Sequence, residues 1–298
     1  MHTETRLLHR SAIQAIASAA TFLLTAGVCY ADPFFFSTGN PDGLIATASR
    51  PASAGKFEIE SADDFNLTSA TTLTSATFTG LLTGNASVGE IRVEIYRAFP
   101  KDSDVGRTSG PPTFSTPQVP TRVNSPSDVE FVDRDTADGN LTFATRDLGG
   151  FTTLNSIQPG GIHPLPGVFT GGNGPVTGEE FQFNIAFIVP IDLPADHYFF
   201  VPQVEVIDPS GNFFWLSAPR PIVPPGTPFP LGSTDLQSWT RDEFLDPDWL
   251  RIGTDITHQG PFNATFSLSG SSVPEPGTLL LLMGAGMSAL WWRRKRNS

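Results

Sequence analysis

Ile91-Arg92-Val93-Glu94-Ile95-Tyr96 alternates apolar and polar side chains without a break. A period of two buries a single face only when the backbone is extended, so this segment reads as a strand with Ile91, Val93 and Ile95 turned inward. The same alternation, or an apolar run of β-branched and aromatic residues, marks Lys56–Glu60, Asp64–Leu67, Leu73–Leu81, Glu90–Tyr96, Val129–Val132, Leu141–Thr145, Glu180–Val189, Tyr198–Ile207, Asn212–Leu216, Trp249–Ile252 and Phe262–Leu268 as strands. Between residues 32 and 272 no stretch places apolar residues at helical spacing. The chain has 28 Gly, 27 Pro and 24 Phe, a composition that suits short strands joined by many turns. Residues 100–128, 159–178 and 219–230 are rich in Pro, Gly, Ser and Thr and read as long surface loops. The expected fold is all-β, a single antiparallel β-sandwich of jelly-roll type over residues 32–272. A closed barrel is the alternative.

The two ends differ from this body. Arg6 and Arg10 precede a mostly apolar run, Ala12–Val28, and Cys29-Tyr30-Ala31 sets small residues at the −3 and −1 positions before Asp32. That order is the layout of a secretory signal peptide, residues 1–31, cleaved after Ala31. Cys29 raises a lipoprotein reading, but Val28 stands where a small residue is expected. At the other end, residues 273–298 hold Pro274-Glu275-Pro276, an apolar run 277–292, and the basic cluster Arg293, Arg294, Lys295 and Arg296. As a helix the run spans about 24 Å at about 1.5 Å per residue, against a hydrocarbon core of about 30 Å. It is expected to form a C-terminal transmembrane helix with its basic end in the cytoplasm. Each proline lacks an amide proton and holds φ near about −65°, so Pro-Glu-Pro is stiff and extended.

This three-part tail resembles the PEP-CTERM sorting signal of Gram-negative, exopolysaccharide-producing bacteria. The resemblance rests on Pro274, Glu275, Pro276, the run 277–292 and the cluster 293–296. It implies an exosortase, a membrane cysteine protease, as the partner, with this chain as its substrate. The expected itinerary is export, anchoring in the inner membrane through the C-terminal helix during sorting, and then the cell surface or the exterior.

Charge and chemistry narrow what the body does. Residues 32–273 carry 12 basic and 28 acidic side chains, a net charge of −16, which repels nucleic acid. The only cysteine is Cys29, so the body after cleavage has no disulfide and no thiolate nucleophile. His163, His197 and His258 stand far apart, with no zinc-type spacing, no Gly-x-Ser-x-Gly elbow and no phosphate-binding glycine loop in the chain. No enzyme is expected. Asp133, Asp135, Asp138 and Asn140 crowd one turn and resemble a calcium loop in composition, but Ala137 and Asp138 break the EF-hand pattern. A solvated turn with local hydrogen bonds is the plainer reading. Calcium is the single cofactor with candidate ligands. Trp239 and Trp249 flank acidic residues 242–248, an arrangement that suits stacking of a sugar, against the plainer reading of core packing. The expected function is a structural protein of an exopolysaccharide layer. The alternatives are a carbohydrate-binding module of the same layer and, third, an extracellular hydrolase.

Overall fold

Fifteen strands and one π-helical turn, Ile252–Ile256, form the regular structure of the described residues in a computed structural model of the chain. Those residues are 31–53, 55–84, 87–106, 119, 122–158, 169–219 and 237–273. In chain order the strands are β1 (Asp32–Ser37), β2 (Ile45–Ala48), β3 (Ile59–Leu67), β4 (Thr71–Leu82) and β5 (Val88–Arg97). Then come β6 (Val132–Asp135), β7 (Leu141–Thr153), β8 (Asn155–Ile157), β9 (Val176–Leu193) and β10 (Asp196–Val206). The last five are β11 (Phe213–Ala218), β12 (Trp239–Asp242), β13 (Leu250–Arg251), β14 (Asn263–Ala264) and β15 (Phe266–Ser272). Residues 33–272 form one compact unit.

The strands make two sheets. The larger has nine strands on the path β1-β15-β4-β11-β2-β8, with β14 beside β11, and with β9 and then β7 beyond β4. The smaller runs β13-β12-β3-β10-β5-β6. Alternation decides which side chains meet between them. Ile91, Val93 and Ile95 of β5 join Phe65, Phe200, Phe78, Phe183, Trp215 and Phe266 in the largest apolar cluster. Phe200 of the smaller sheet stacks on Phe266 of the larger at 5.1 Å and meets Trp215 edge-on at 6.0 Å. Burying each such ring contributes about 1.5–3 kcal/mol. Close approach matters as well as area. Where the register of β15 against β4 shifts, a Cβ at Gly270 would lie 2.0 Å from the Thr72 carbonyl oxygen.

Two expectations are corrected. The chain is largely β-strand, but its sheets close into neither a jelly-roll-like sandwich nor a barrel. β4 carries β9 along its whole length and also pairs with both β15 and β11, so the larger sheet branches. It is not wholly antiparallel either, since β2 and β8 run parallel through Ile45↔Asn155. Side-chain alternation states which residues turn inward, but it carries no information on which edges pair. The second correction concerns the membrane. Among the described residues no helix is long and apolar enough to cross a bilayer. The run 277–292, expected to be a transmembrane helix, lies outside the described residues and so finds no support as one.

Candidate functional site

β3, β5 and β12 point Glu60, Glu94, Tyr96 and Arg241 to the face of the smaller sheet that looks away from the main core. Their neighbours on that face are Ala62, Phe199, Val201, Trp239 and Trp249, a separate apolar cluster. All four polar residues are buried, at 2–6 % exposure. A charge so placed must be paired and hydrogen-bonded. Arg241 meets both carboxylate oxygens of Glu60 through Nε and Nη2. The same Nη2 donates to the Tyr96 hydroxyl at 2.9 Å, and Nη1 reaches Asp246 at 2.8 Å and the carbonyls of Asp128 and Pro247 at 3.2 Å. The Tyr96 hydroxyl donates to Glu60 at 2.7 Å and stands 3.1 Å from an oxygen of Glu94. The guanidinium also lies 4.3 Å over the Trp249 ring and 5.2 Å over Tyr96. One cation thus ties β3, β5 and β12 to the turns that cover them.

The cluster holds more carboxylate than cation at its centre, and burial decides how it ionises. Burial pushes Glu94 well above the usual carboxylate range, and the charges of Glu60, Glu58 and Asp133 push the same way. Burial also acts against the charge on Glu60, but Arg241 and the hydrogen bonds from Arg241 and Tyr96 outweigh it and hold Glu60 below that range. Burial thus favours the protonated form of Glu94, Arg241 favours the charged form of Glu60, and the two share a hydrogen bond. At the rim Arg92 faces Glu90 at 3.2 Å, Glu94 at 3.7 Å and Glu58 at 3.8 Å, and Gln203 donates to Glu58 at 2.9 Å. Chemically this is a filled clamp: every nitrogen of the Arg241 guanidinium is engaged.

A pH effect follows. Folding raises the pKa of Glu94, so its favourable contribution is full below about 4.5, the ordinary glutamate value, and is lost as pH climbs through the raised value. Glu60, held low, acts in the opposite sense, and its contribution is lost as pH falls through its lowered value. Glu94→Gln keeps the shape and removes the titration. Melting curves from about pH 5 to about pH 9 should show wild-type stability falling with pH and the variant falling less. Parallel curves would refute a protonated Glu94. Some slope should persist in the variant, because Glu58 and Asp64 are also raised by burial.

Elsewhere, a cleft of about 420 Å³ is lined by Asp42, Leu44, Leu154, Pro219, Gln259 and Phe262, among others. His197 contacts Asp64 at 2.8 Å on the outer face of the smaller sheet. The contact between Asp64 and His197 carried no signal in the sequence, since the two lie 133 residues apart.

The residues singled out from sequence fall in three places. Trp239 and Trp249 are buried, at 0 and 1 % exposure, and the Trp249 indole nitrogen donates to the Ser127 carbonyl at 3.1 Å. Neither indole offers an open face. Asp133, Asp135, Asp138 and Asn140 span β6 and the turn to β7. The Asp138 amide donates to Asp135 at 2.6 Å, and the Asp135 amide donates to the Asn140 side chain at 2.7 Å. Asp133 instead sits beside Glu94 in register. Among the described residues no group of three or more His, Cys, Asp or Glu side chains is placed to hold a metal ion. Ala31 is exposed and directly precedes β1. Pro274, Glu275, Pro276, Arg293, Arg294, Lys295 and Arg296 lie outside the described residues, as does the leader before Ala31.

Residues 272–295 match the family model of the PEP-CTERM protein-sorting motif. The chain carries a PEP-CTERM sorting signal. The match begins at Ser272, the last residue of β15, so the PEP-CTERM segment starts where the described fold stops. With this signal the chain is an exported, sorted protein of the cell surface or the exterior. No curated protein and no solved structure matches the chain. The expected route is corrected at one step. Anchoring in the inner membrane through a C-terminal helix, both as a partner and as a location, is withdrawn, because no helix among the described residues suits that role.

Proposed function

We propose that the body is a non-catalytic structural protein of an exopolysaccharide layer, released to that layer after an exosortase-type protease acts at the PEP-CTERM signal. The observation that carries this reading is the sorting motif at 272–295, which follows the last body strand without a linker. The buried clamp favours it too. The densest group of ionisable side chains serves to hold strands together, with its cation fully occupied. The carbohydrate-binding alternative drew on Trp239 and Trp249, and their burial removes the stacking surface it relied on.

The test compares the extracellular layer of cells with and without the chain, and the purified body on the layer's polysaccharide. A structural role predicts loss of layer cohesion in the deletion strain and no release of reducing ends by the body. Turnover of the polysaccharide would replace this reading with a hydrolase. Saturable binding of short oligosaccharides would replace it with a binding module.

A further inference from the structure

The sorting motif begins hard against the fold. Ser272, the last residue of β15, is still paired with Thr71 of β4, and Val273 is the single residue between it and Pro274. Glu275 is three residues beyond Ser272, so at a reach of about 3.6 Å per residue it stands within about 11 Å of the end of β15. A protein that reads Glu275 is far wider than that gap and must meet the body around the end of β15. The strand pairing fixes what lies there. Thr38, just after β1, bonds to Phe266, the first residue of β15, so β1 runs antiparallel to β15 and begins beside its end. Phe34 and Phe36 pack on the main core. Alternation turns Phe35 to the other face, where it is 63 % exposed. Val273 is exposed as well. Thr71 also pairs with Leu193, so the turns at 68–70 and 194–195 share this end, and neither carries a charge. Of the carboxylates beside them, Asp192 accepts the Thr72 hydroxyl at 2.6 Å and Asp196 is paired with Lys101.

We infer that this end of the larger sheet, centred on Phe35, is the surface on which the exosortase-type protease docks while it reads the tail. The inference rests on the processing reading given above and adds a second point of contact to it. Aromatic side chains anchor protein interfaces, and charge is depleted at their centres. Phe35 among uncharged turns meets both conditions in a body that is otherwise strongly acidic. The short tether gives such a contact its value. Once the protease holds the tail, its contact with the body is intramolecular, and the effective concentration of the face is high because so few residues separate it from the motif. A weak patch is then enough to hold the complex through the reaction.

The test follows the full chain in cells by pulse labelling and reads the rate at which the peptide 293–298 is lost. Phe35→Asp should slow that loss by about fivefold or more. Phe244→Asp alters a comparably exposed ring beside the start of β3, at the other end of the body, and should leave the rate unchanged. Melting curves of the mature proteins establish that both variants are folded. A flexible spacer of about ten Gly and Ser residues between Val273 and Pro274 keeps Phe35 and the motif intact. It should slow processing several-fold, because effective concentration falls roughly as the −3/2 power of tether length. A photoreactive phenylalanine analogue in place of Phe35 should crosslink to the protease. Adducts with lipid alone would give this face to the bilayer and overturn the inference. If wild type is processed and either Phe35→Asp or the spacer variant keeps its rate, the docking face is wrong and the processing reading stands. Wild type that keeps its terminal peptide in cells with the protease would end both.

Discussion

Arg241→Met should lower the stability of the body by about 3–5 kcal/mol, the loss seen when one partner of a buried ion pair is removed. For a body of this size the melting temperature should fall by about 6–20 °C. Methionine fills much of the same space, so the loss is electrostatic and not a cavity. It strands Glu60 in a site where Arg241 is the cation that meets both its oxygens, and it takes a donor from the Tyr96 hydroxyl. Glu60→Gln should cost an amount of the same order for the mirror reason. The double variant should recover part of the sum, because no charge is then left alone. A single variant that melts within about 2 °C of wild type would refute the clamp.

Glu275→Gln should leave cells with protein that retains its C-terminal peptide, whereas wild-type mature protein should lack residues 293–298. Glu275 is the only charged side chain between Ser272 and Trp292, and the prolines on either side of it have no amide proton to donate. One anionic side chain between two prolines is a local feature that a protease can read at that residue. Leu280→Ala, which leaves the three residues intact, should be processed nearly as wild type. Mass spectrometry of surface protein from cells with and without the exosortase measures this. Equal retention of the terminal peptide in both would end the processing reading.

The strands that were legible in the sequence are those that alternate, or run apolar with β-branched and aromatic side chains, over enough residues. Leu73–Leu81, Glu90–Tyr96, Glu180–Val189 and Tyr198–Ile207 fall within or against β4, β5, β9 and β10. β3 was read as two pieces, Lys56–Glu60 and Asp64–Leu67, with Ser61, Ala62 and Asp63 left between them. In the fold they are buried, with Ser61 donating to the Ala48 carbonyl at 2.9 Å and Asp63 accepting the Ala264 amide at 2.7 Å. β1, β2, β8 and β12 passed unnoticed. β2 has four residues and β8 three, too few to show a period, and β1 is an unalternated aromatic run. β12 was hidden by its own chemistry, since Trp239 and Arg241 beside acids look like surface. The clamp joins positions 181 residues apart, and no local pattern announces such a pair. Asp133 is close to Asp135 and Asp138 in sequence, but its partner across the strands is Glu94 of β5, which no local pattern shows. The sorting tail was readable because its signal is local: three short blocks in a set order.

β1, the first strand after the leader, lies beside β15, the last strand of the body. Thr38, just after β1, is also laced to β15: its amide donates to the Phe266 carbonyl at 3.0 Å, and its hydroxyl accepts the Phe266 amide at 2.8 Å. In an exported chain that emerges amino end first, β1 reaches the far side long before its neighbour exists there. It must wait for more than two hundred residues to pass, and contacts of such separation form late. Emergence and completion are thereby coupled in time. The larger sheet becomes whole only when Ser272 is through, at the moment the sorting motif itself begins to appear.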